Sequence, residues 1–345
     1  MAESVGLQLM IFPNLYLKNT YINMGAVLSA PYPFIILVSS RGGGKTYGTL
    51  EACIKHDIRF IYFRRTQRIL DLISDPALHP FKKINSNNHW HIYPEKLKGL
   101  VKFVDDDTKE LKGYAAALST FANVRGFDGS DIDLLIFDEF IPEPNERITF
   151  NMFSALANSI ETINRNREVE GGRPLKVLLL SNSDLIYGDI VEGFKIGDDL
   201  LSMQESGEEV VEKSKDMLLL MPTCEDFKDH KRDTALYRVT AGTEFSRVAL
   251  DNKFKIHDRE NLRKVSLMEY KPVASIAKIC IYRHKIMPVY YVSEKISGAP
   301  KIYDDTEIDI KRFIKDNPRI WRAYDRKKII FESVQAQSTF KRLFE

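Results

Sequence analysis

Cysteine is scarce in this 345-residue chain, and the three present, Cys53, Cys224 and Cys280, are far apart with no CxxC pair. That excludes a disulfide framework and a zinc finger, and it fits a reducing compartment. Long apolar runs are missing as well. Leu218-Leu219-Leu220-Met221 is typical of the longest, against the roughly 20 residues that a membrane helix needs. The start, Met1-Ala2-Glu3-Ser4, has neither the basic residues nor the apolar stretch of a secretory signal. Secreted, membrane-spanning and fibrous proteins are thereby set aside, and the expectation is a protein of the cytosol. No internal repeat or low-complexity segment is present.

Net charge is also small, +2, but it hides an asymmetry. Residues 231–345 hold 25 Lys and Arg against 15 Asp and Glu, while residues 1–230 hold 25 against 33. A basic C-terminal third beside an acidic body points to a domain facing a polyanion, or to a solvated basic face. With 44% hydrophobic and 28% charged residues the composition is that of a globular protein, and its length suits two domains.

Residues 1–33 read as a lead-in arm ending in Pro31-Tyr32-Pro33. Phe34–Ser40, Arg59–Phe63, Tyr114–Thr120, Ile132–Phe137 and Leu175–Ser181 are near-continuous in apolar residues, as strands buried on both faces are. Between the last two, Phe150, Phe153, Leu156, Ala157, Ile160 and Ile163 recur at helical spacing. Strand, helix, strand in this rhythm predicts a mostly parallel α/β sheet with helices on both faces. Gly197–Lys215 is acidic and reads as a hinge. From about Asp229 alternating strands (Ala274–Arg283, Met287–Val292) and short basic helices predict a smaller α+β domain. The expected division is an N-terminal domain over 1–200, a linker over 201–228 and a basic C-terminal domain over 229–345.

The strand at Phe34–Val38 runs into Ser39-Ser40-Arg41-Gly42-Gly43-Gly44-Lys45-Thr46, and a helix follows. This matches the Walker A phosphate loop except that Ser39 stands where the first glycine is expected. Glycines let backbone N–H groups wrap phosphates without Cβ clashes, and the helix N-terminus adds a favourable dipole. The expected ligand is ATP, with Lys45 reaching the β- and γ-phosphates and the Thr46 hydroxyl on Mg²⁺.

Leu134–Phe137 then brings a buried strand to Asp138-Glu139. Asp138 is expected to hold Mg²⁺ through water, and Glu139 to act as general base toward the attacking water. GTPases would want an Asn-Lys-x-Asp base reader, which the sequence lacks. Asn182, ending the strand Leu178–Ser181, either touches the γ-phosphate or caps the following turn. His89-Trp90-His91 has no evident third ligand and reads as ordinary packing; Asp105–Thr108 reads as a hairpin turn.

Together, Arg41 in the loop, Phe60-Ile61-Tyr62-Phe63-Arg64-Arg65, Val124-Arg125-Gly126, Leu135–Ile141 and Leu179–Asn182 resemble the small packaging ATPases of phi29-type podoviruses. These are relatives of terminase large subunits within the additional-strand, catalytic-glutamate P-loop class. The resemblance covers residues 34–185. In that family the loop reads as a small residue, Arg, Gly, x, Gly, Lys and Ser or Thr, which Ser40–Thr46 fits, so Ser39 in place of the first glycine counts for less. The resemblance implies a homomeric ring of five subunits that docks on the portal of a preformed capsid in the host cytoplasm and drives double-stranded DNA inward. A structural packaging RNA is a further partner it suggests. It also implies an arginine acting on the neighbouring subunit's site, with Arg165 and Arg167 as candidates. Arg125 is a candidate for nucleotide or sheet-edge contacts, and Arg41 is either a cis switch touching Glu139 or phosphate or a surface loop residue.

The C-terminal domain would then be a degenerate RNase H-like nuclease. Asp304, Asp305, Glu307 and Asp309 lie in one segment, with Asp251 elsewhere, which is no sign of the converging carboxylates that a two-metal nuclease needs. Lys311, Arg312, Lys315, Arg319, Arg322, Arg326, Lys327 and Lys328 interleave with Phe313 and Trp321, as nucleic-acid surfaces do and as amphipathic helices also do. The alternatives that stay open are another phage assembly ATPase, a terminase with an active nuclease, and a non-hydrolysing nucleotide-gated adaptor on DNA.

Overall fold

The computed structural model describes residues 12, 14–17, 21–124, 126–142, 148–182, 188–243, 246 and 261–343. The chain divides into two compact units: residues 1–185 with 199–255, and residues 186–198 with 256–345.

The first unit is built on a nine-stranded sheet. In chain order its strands are β1 (Phe34–Ser39), β2 (Phe60–Arg64), β3 (Ile92–Leu97), β4 (Leu100–Asp105), β5 (Leu111–Ala117), β6 (Leu134–Asp138), β7 (Lys176–Asn182), β8 (Val210–Ser214) and β9 (Met217–Leu220). Across the sheet they run β3-β4-β5-β2-β6-β7-β1-β9-β8. From β5 to β9 every neighbouring pair is parallel, while β3-β4-β5 and β8-β9 pair antiparallel. The central strands are apolar throughout because helices cover both faces; Leu135, Ile136 and Phe137 have no exposed surface. Burial of each such side chain contributes about 2 kcal/mol. The turn at Asp105–Thr108 joins β4 to β5 as expected, with the Asp105 carboxylate accepting from the backbone N–H groups of Asp107 and Thr108.

Two expectations need correction. The lead-in arm is partly core: Phe12, Leu15, Ile22 and Met24 are buried with β1, and the short helix Met24–Ser29 packs Val27 beside them. The hinge and linker are structured as well. Gly197–Ser206 is helical, and β9 pairs with β1 from Phe34↔Met217 to Leu37↔Leu220. The acidic residues that suggested a hinge are shared between that helix (Asp198, Asp199, Glu205) and β8 with the residues leading into it (Glu208, Glu209, Glu212), while Leu218–Leu220 supply three fully buried side chains.

The second unit holds β10 (Tyr270–Ile276), β11 (Ile279–His284), β12 (Tyr290–Ser293), β13 (Ile302–Tyr303) and β14 (Ile329–Phe331), in the order β13-β10-β11-β12-β14. The stretch Ala274–Arg283, read as one strand, is a hairpin. Ala277 and Lys278 both take positive φ, 47° and 69°, as a two-residue turn between right-twisted strands requires. Helices Glu307–Asp316, Pro318–Asp325 and Val334–Arg342 complete this unit, burying Phe313, Ile320 and Phe340. The segment 186–198 belongs here too: in the helix Asp189–Gly193, Glu192 accepts a hydrogen bond from Ser338 and pairs with Arg342.

Candidate nucleotide site

Parallel registry brings the site residues to one end of the sheet, where ligands sit in open α/β folds. Ser39 ends β1 opposite Asn182 on β7, and Asp138 ends β6 opposite Leu180 of β7. Arg64 ends β2, the strand beyond β6. One strand, β7, thus separates the phosphate-loop strand from the strand carrying the acidic pair.

Between β1 and the helix Lys45–Lys55 the loop turns on Gly42 and Gly44, whose φ values of +94° and +85° disfavour any side chain. Lys45 is buried and folded back over the loop. Its ammonium donates to the carbonyls of Ser39 (3.2 Å) and Ser40 (3.0 Å), to Ser39 Oγ (3.1 Å) and to Asn182 Oδ1 (3.1 Å). The hydroxyl of Thr46 donates to Asp138 Oδ2 at 2.8 Å, so these two oxygens already adjoin. Asp138 is 3% exposed. Ser40 Oγ is buried at the start of the loop with no hydrogen-bond partner among the described residues.

These residues open onto a cavity of about 690 Å³, lined among others by Tyr21, Gly44, Lys45, Thr46, Asp138, Glu139 and Asn182. A glycine cradle, a lysine, an orphaned hydroxyl and a hydroxyl–carboxylate pair suit a nucleoside triphosphate with Mg²⁺. The oxygen donors of Thr46 and Asp138 are the hard ligands that this ion takes.

Three residues were not assigned a role from sequence. The Tyr62 hydroxyl donates to Asp138 Oδ2 at 2.7 Å, and Arg64 donates to both Tyr62 (3.0 Å) and Asp138 (3.2 Å). A second nitrogen of Arg64 pairs with Glu139 Oε2. Burial works against the charge of Arg64, but Tyr62, Asp138 and Glu139 outweigh it and hold the guanidinium protonated above its ordinary range. Burial, then the Asp138 charge, pushes the Tyr62 phenol well up. Arg65 is buried and donates to the carbonyls of Glu139 and, at 3.4 Å, Ile141. It secures a backbone in which Glu139 has φ 56°, a left-handed conformation costly for a non-glycine residue. The available signal was two arginines ending an otherwise apolar strand.

Of the other expected residues, Arg41, Arg165 and Arg167 do not line the cavity. Arg167 donates to the carbonyls of Ile132 (2.8 Å), Gly129 (3.1 Å) and Ser130 (3.3 Å). It clips the loop before β6. Arg165 is half-exposed, bonded to the Phe127 carbonyl at 2.7 Å and 3.7 Å from Asp128. Arg125 lies outside the described residues. Arg41 is exposed on the loop. His91 meets Asp107 at 2.6 Å on the surface.

In the second unit, the acidic segment caps a helix: Asp309 accepts from the backbone of Asp304 at 3.0 Å, and Glu307 pairs with Lys311. Asp251 lies outside the described residues. Among the described residues no group of three His, Cys, Asp or Glu could hold a metal ion. Phe313 is core, whereas Trp321 is exposed among Arg319, Arg322 and Arg326.

A parallel sheet with one strand between its phosphate loop and its acidic pair defines a P-loop NTPase of the additional-strand class. Comparison with known proteins carries the assignment further: the chain matches the podovirus DNA encapsidation protein (Gp16) family over residues 17–316 and belongs to it. The DNA packaging protein of Bacillus phage phi29 is 26% identical over 245 residues, 69% of this chain and 67% of that one. The DNA packaging protein of Bacillus phage B103 is 30% identical over 223 residues, 63% of each chain. In fold, the chain is similar to a subunit of the bacteriophage Phi-29 viral genome packaging motor assembly, with TM-score 0.67, 17% identity and coverage of 94% of this chain and 98% of that one. Viral DNA packaging is therefore its function.

Proposed function

We propose that the chain is an ATP-hydrolysing motor subunit that moves double-stranded viral DNA into a preformed capsid. The observation that carries this reading is the contact of Thr46 Oγ with Asp138, set beside Lys45 and directly before Glu139. ATP would lie with its phosphates in the cradle of Gly42–Thr46, met by backbone N–H groups and the N-terminus of the helix Lys45–Lys55. Lys45 would exchange Ser39, Ser40 and Asn182 for the β- and γ-phosphates. Thr46 and Asp138 would hold Mg²⁺, which neutralises charge developing on the transferred phosphoryl group. Glu139 would leave Arg64 and take the proton of the attacking water. Asn182, released by Lys45, would then report whether the γ-phosphate is present.

Motor function in the relatives' assembly supports a homomeric ring, acting on the portal of the capsid in the host cytoplasm. No helix among the described residues is long and apolar enough to cross a membrane. Arg165 suits the role of a finger acting in the neighbour's site, because it is half-exposed, whereas Arg167 is committed to three carbonyls. The cations at Lys311, Arg312, Lys315, Arg319, Arg322, Arg326, Lys327 and Lys328 are all exposed and would face DNA, the portal or a structural RNA.

Steady-state ATP hydrolysis with and without linear double-stranded DNA tests the proposal. DNA-stimulated turnover that vanishes in Glu139→Gln supports it. ATP binding without turnover, even on assembled portal and DNA, would favour an adaptor that uses nucleotide only as a gate.

A further inference from the structure

The phosphate loop is held by a helix that no motif places there. Glu225–Arg232 carries Phe227 and Lys231 on the side that meets the loop. A Cβ built on Gly42 would lie 2.8 Å from the Phe227 ring, so loop and ring are in close contact. Lys231 Nζ donates to the carbonyl of Arg41 at 2.6 Å. The ammonium is steadied by two rings, 5.7 Å from the centroid of Phe227 and 5.0 Å from that of the buried Tyr237. Neither Phe227 nor Lys231 lines the cavity, whereas Gly42 and Gly44 do.

In a trans peptide the C=O and N–H bonds point in opposite directions. A donor that captures the Arg41 carbonyl on the far side therefore aims the N–H of Gly42 the other way, toward the cavity. A second loop peptide is also tied down: the Gly43 carbonyl accepts from the backbone N–H of Ile22 at 3.2 Å. Glycine is free enough in φ and ψ to let either peptide flip, so such an anchor matters more here than in an ordinary loop.

We propose that Lys231 is a positioning residue for ATP: it fixes the Arg41–Gly42 peptide so that the Gly42 N–H faces the phosphates before nucleotide arrives. This rests on the nucleotide reading above. It touches neither the phosphates nor the water, so its effect falls on binding rather than on the chemical step.

The test uses the full chain and a fluorescent ATP analogue titrated with Mg²⁺ present, comparing wild type, Lys231→Met, Lys231→Arg and Lys45→Ala, together with KM and kcat for hydrolysis. Lys231→Met is expected to weaken binding 5- to 20-fold and raise KM in parallel, with kcat within twofold of wild type. Lys231→Arg keeps a donor and should stay within threefold in both. Lys231→Gln, which is too short to reach the carbonyl, should reproduce the loss and serves if Lys231→Met does not fold. Wild-type affinity in Lys231→Met and Lys231→Gln would overturn the inference while leaving the nucleotide reading intact. If wild type and Lys45→Ala bind alike or not at all, the nucleotide reading fails and the inference with it.

Discussion

Arg64 and Glu139 are ion-paired across the floor of the nucleotide site, with the guanidinium also 3.2 Å from Asp138. One side chain on β2 thus holds both carboxylates. In the proposed mechanism Glu139 is the general base, and a guanidinium on its Oε2 lowers the basicity it can offer to water. On that proposal, turnover would have it exchange Arg64 for water.

Replacing Arg64 by Met should therefore loosen control more than it removes capacity. DNA-independent hydrolysis is expected to rise and the stimulation by DNA to fall toward one, measured as the ratio of steady-state rates. Asp138 would lose a charged partner, so unfolding free energy should fall by about 2 kcal/mol, read from denaturant melts. An unchanged stimulation ratio would refute the pairing as a control point.

Glu139→Gln keeps the size of the side chain but cannot accept the proton. ATP affinity should stay within threefold of wild type, while kcat falls by at least about 100-fold. Retained turnover would mean that another group acts as base.

The two arginines after the helix Met152–Asn164 should separate cleanly. Arg167→Ala removes three hydrogen bonds to backbone carbonyls of the loop before β6, so it should lower stability by about 2 kcal/mol. Arg165→Ala should leave stability within 0.5 kcal/mol, as surface changes do. If Arg165 works in trans, doping Arg165→Ala subunits into wild type should depress turnover more than in proportion to their share; a linear decline would point to another finger.

In the second unit the Glu192–Arg342 pair gives a pH signature. Burial raises the Glu192 pKa above the usual glutamate value, against the opposing pull of Arg342 and Ser338. A raised pKa means that the folded state binds the proton more tightly than the unfolded chain does. This contribution to stability is full below the unfolded pKa and fades as pH rises through the folded one. Arg342→Ala removes the opposing cation, so its loss of stability relative to wild type should grow as pH rises above the glutamate range. Glu192→Gln should abolish that pH dependence, which thermal melts across the range would show.

Much of the site was legible because its chemistry demands particular residues at fixed spacing. Gly42–Thr46 could wrap a phosphate in few other ways, and Asp138-Glu139 ends an apolar run that could only be a buried strand. Long-range partners were not legible. Nothing local distinguishes Arg64, which joins both carboxylates, from a surface cation at a strand end. Arg167 looks in sequence like any charged helix C-terminus, yet it serves a loop more than thirty residues before it. The stretch after Gly197 reads as a hinge and linker until β9 is seen beside β1, because β9 is only four residues long and follows a charged segment.

That last pairing bears on how the protein can be taken apart. β1 has β7 on one side and β9 on the other. A fragment stopped at residue 200, a natural choice from the motifs alone, would strip one side of the phosphate-loop strand and bare its hydrogen-bonding groups and apolar face. Such a fragment invites aggregation through a new sheet edge. The smallest piece that preserves the loop's own strand must reach past Leu220, and it must include Tyr237 if the Lys231 anchor is to come with it.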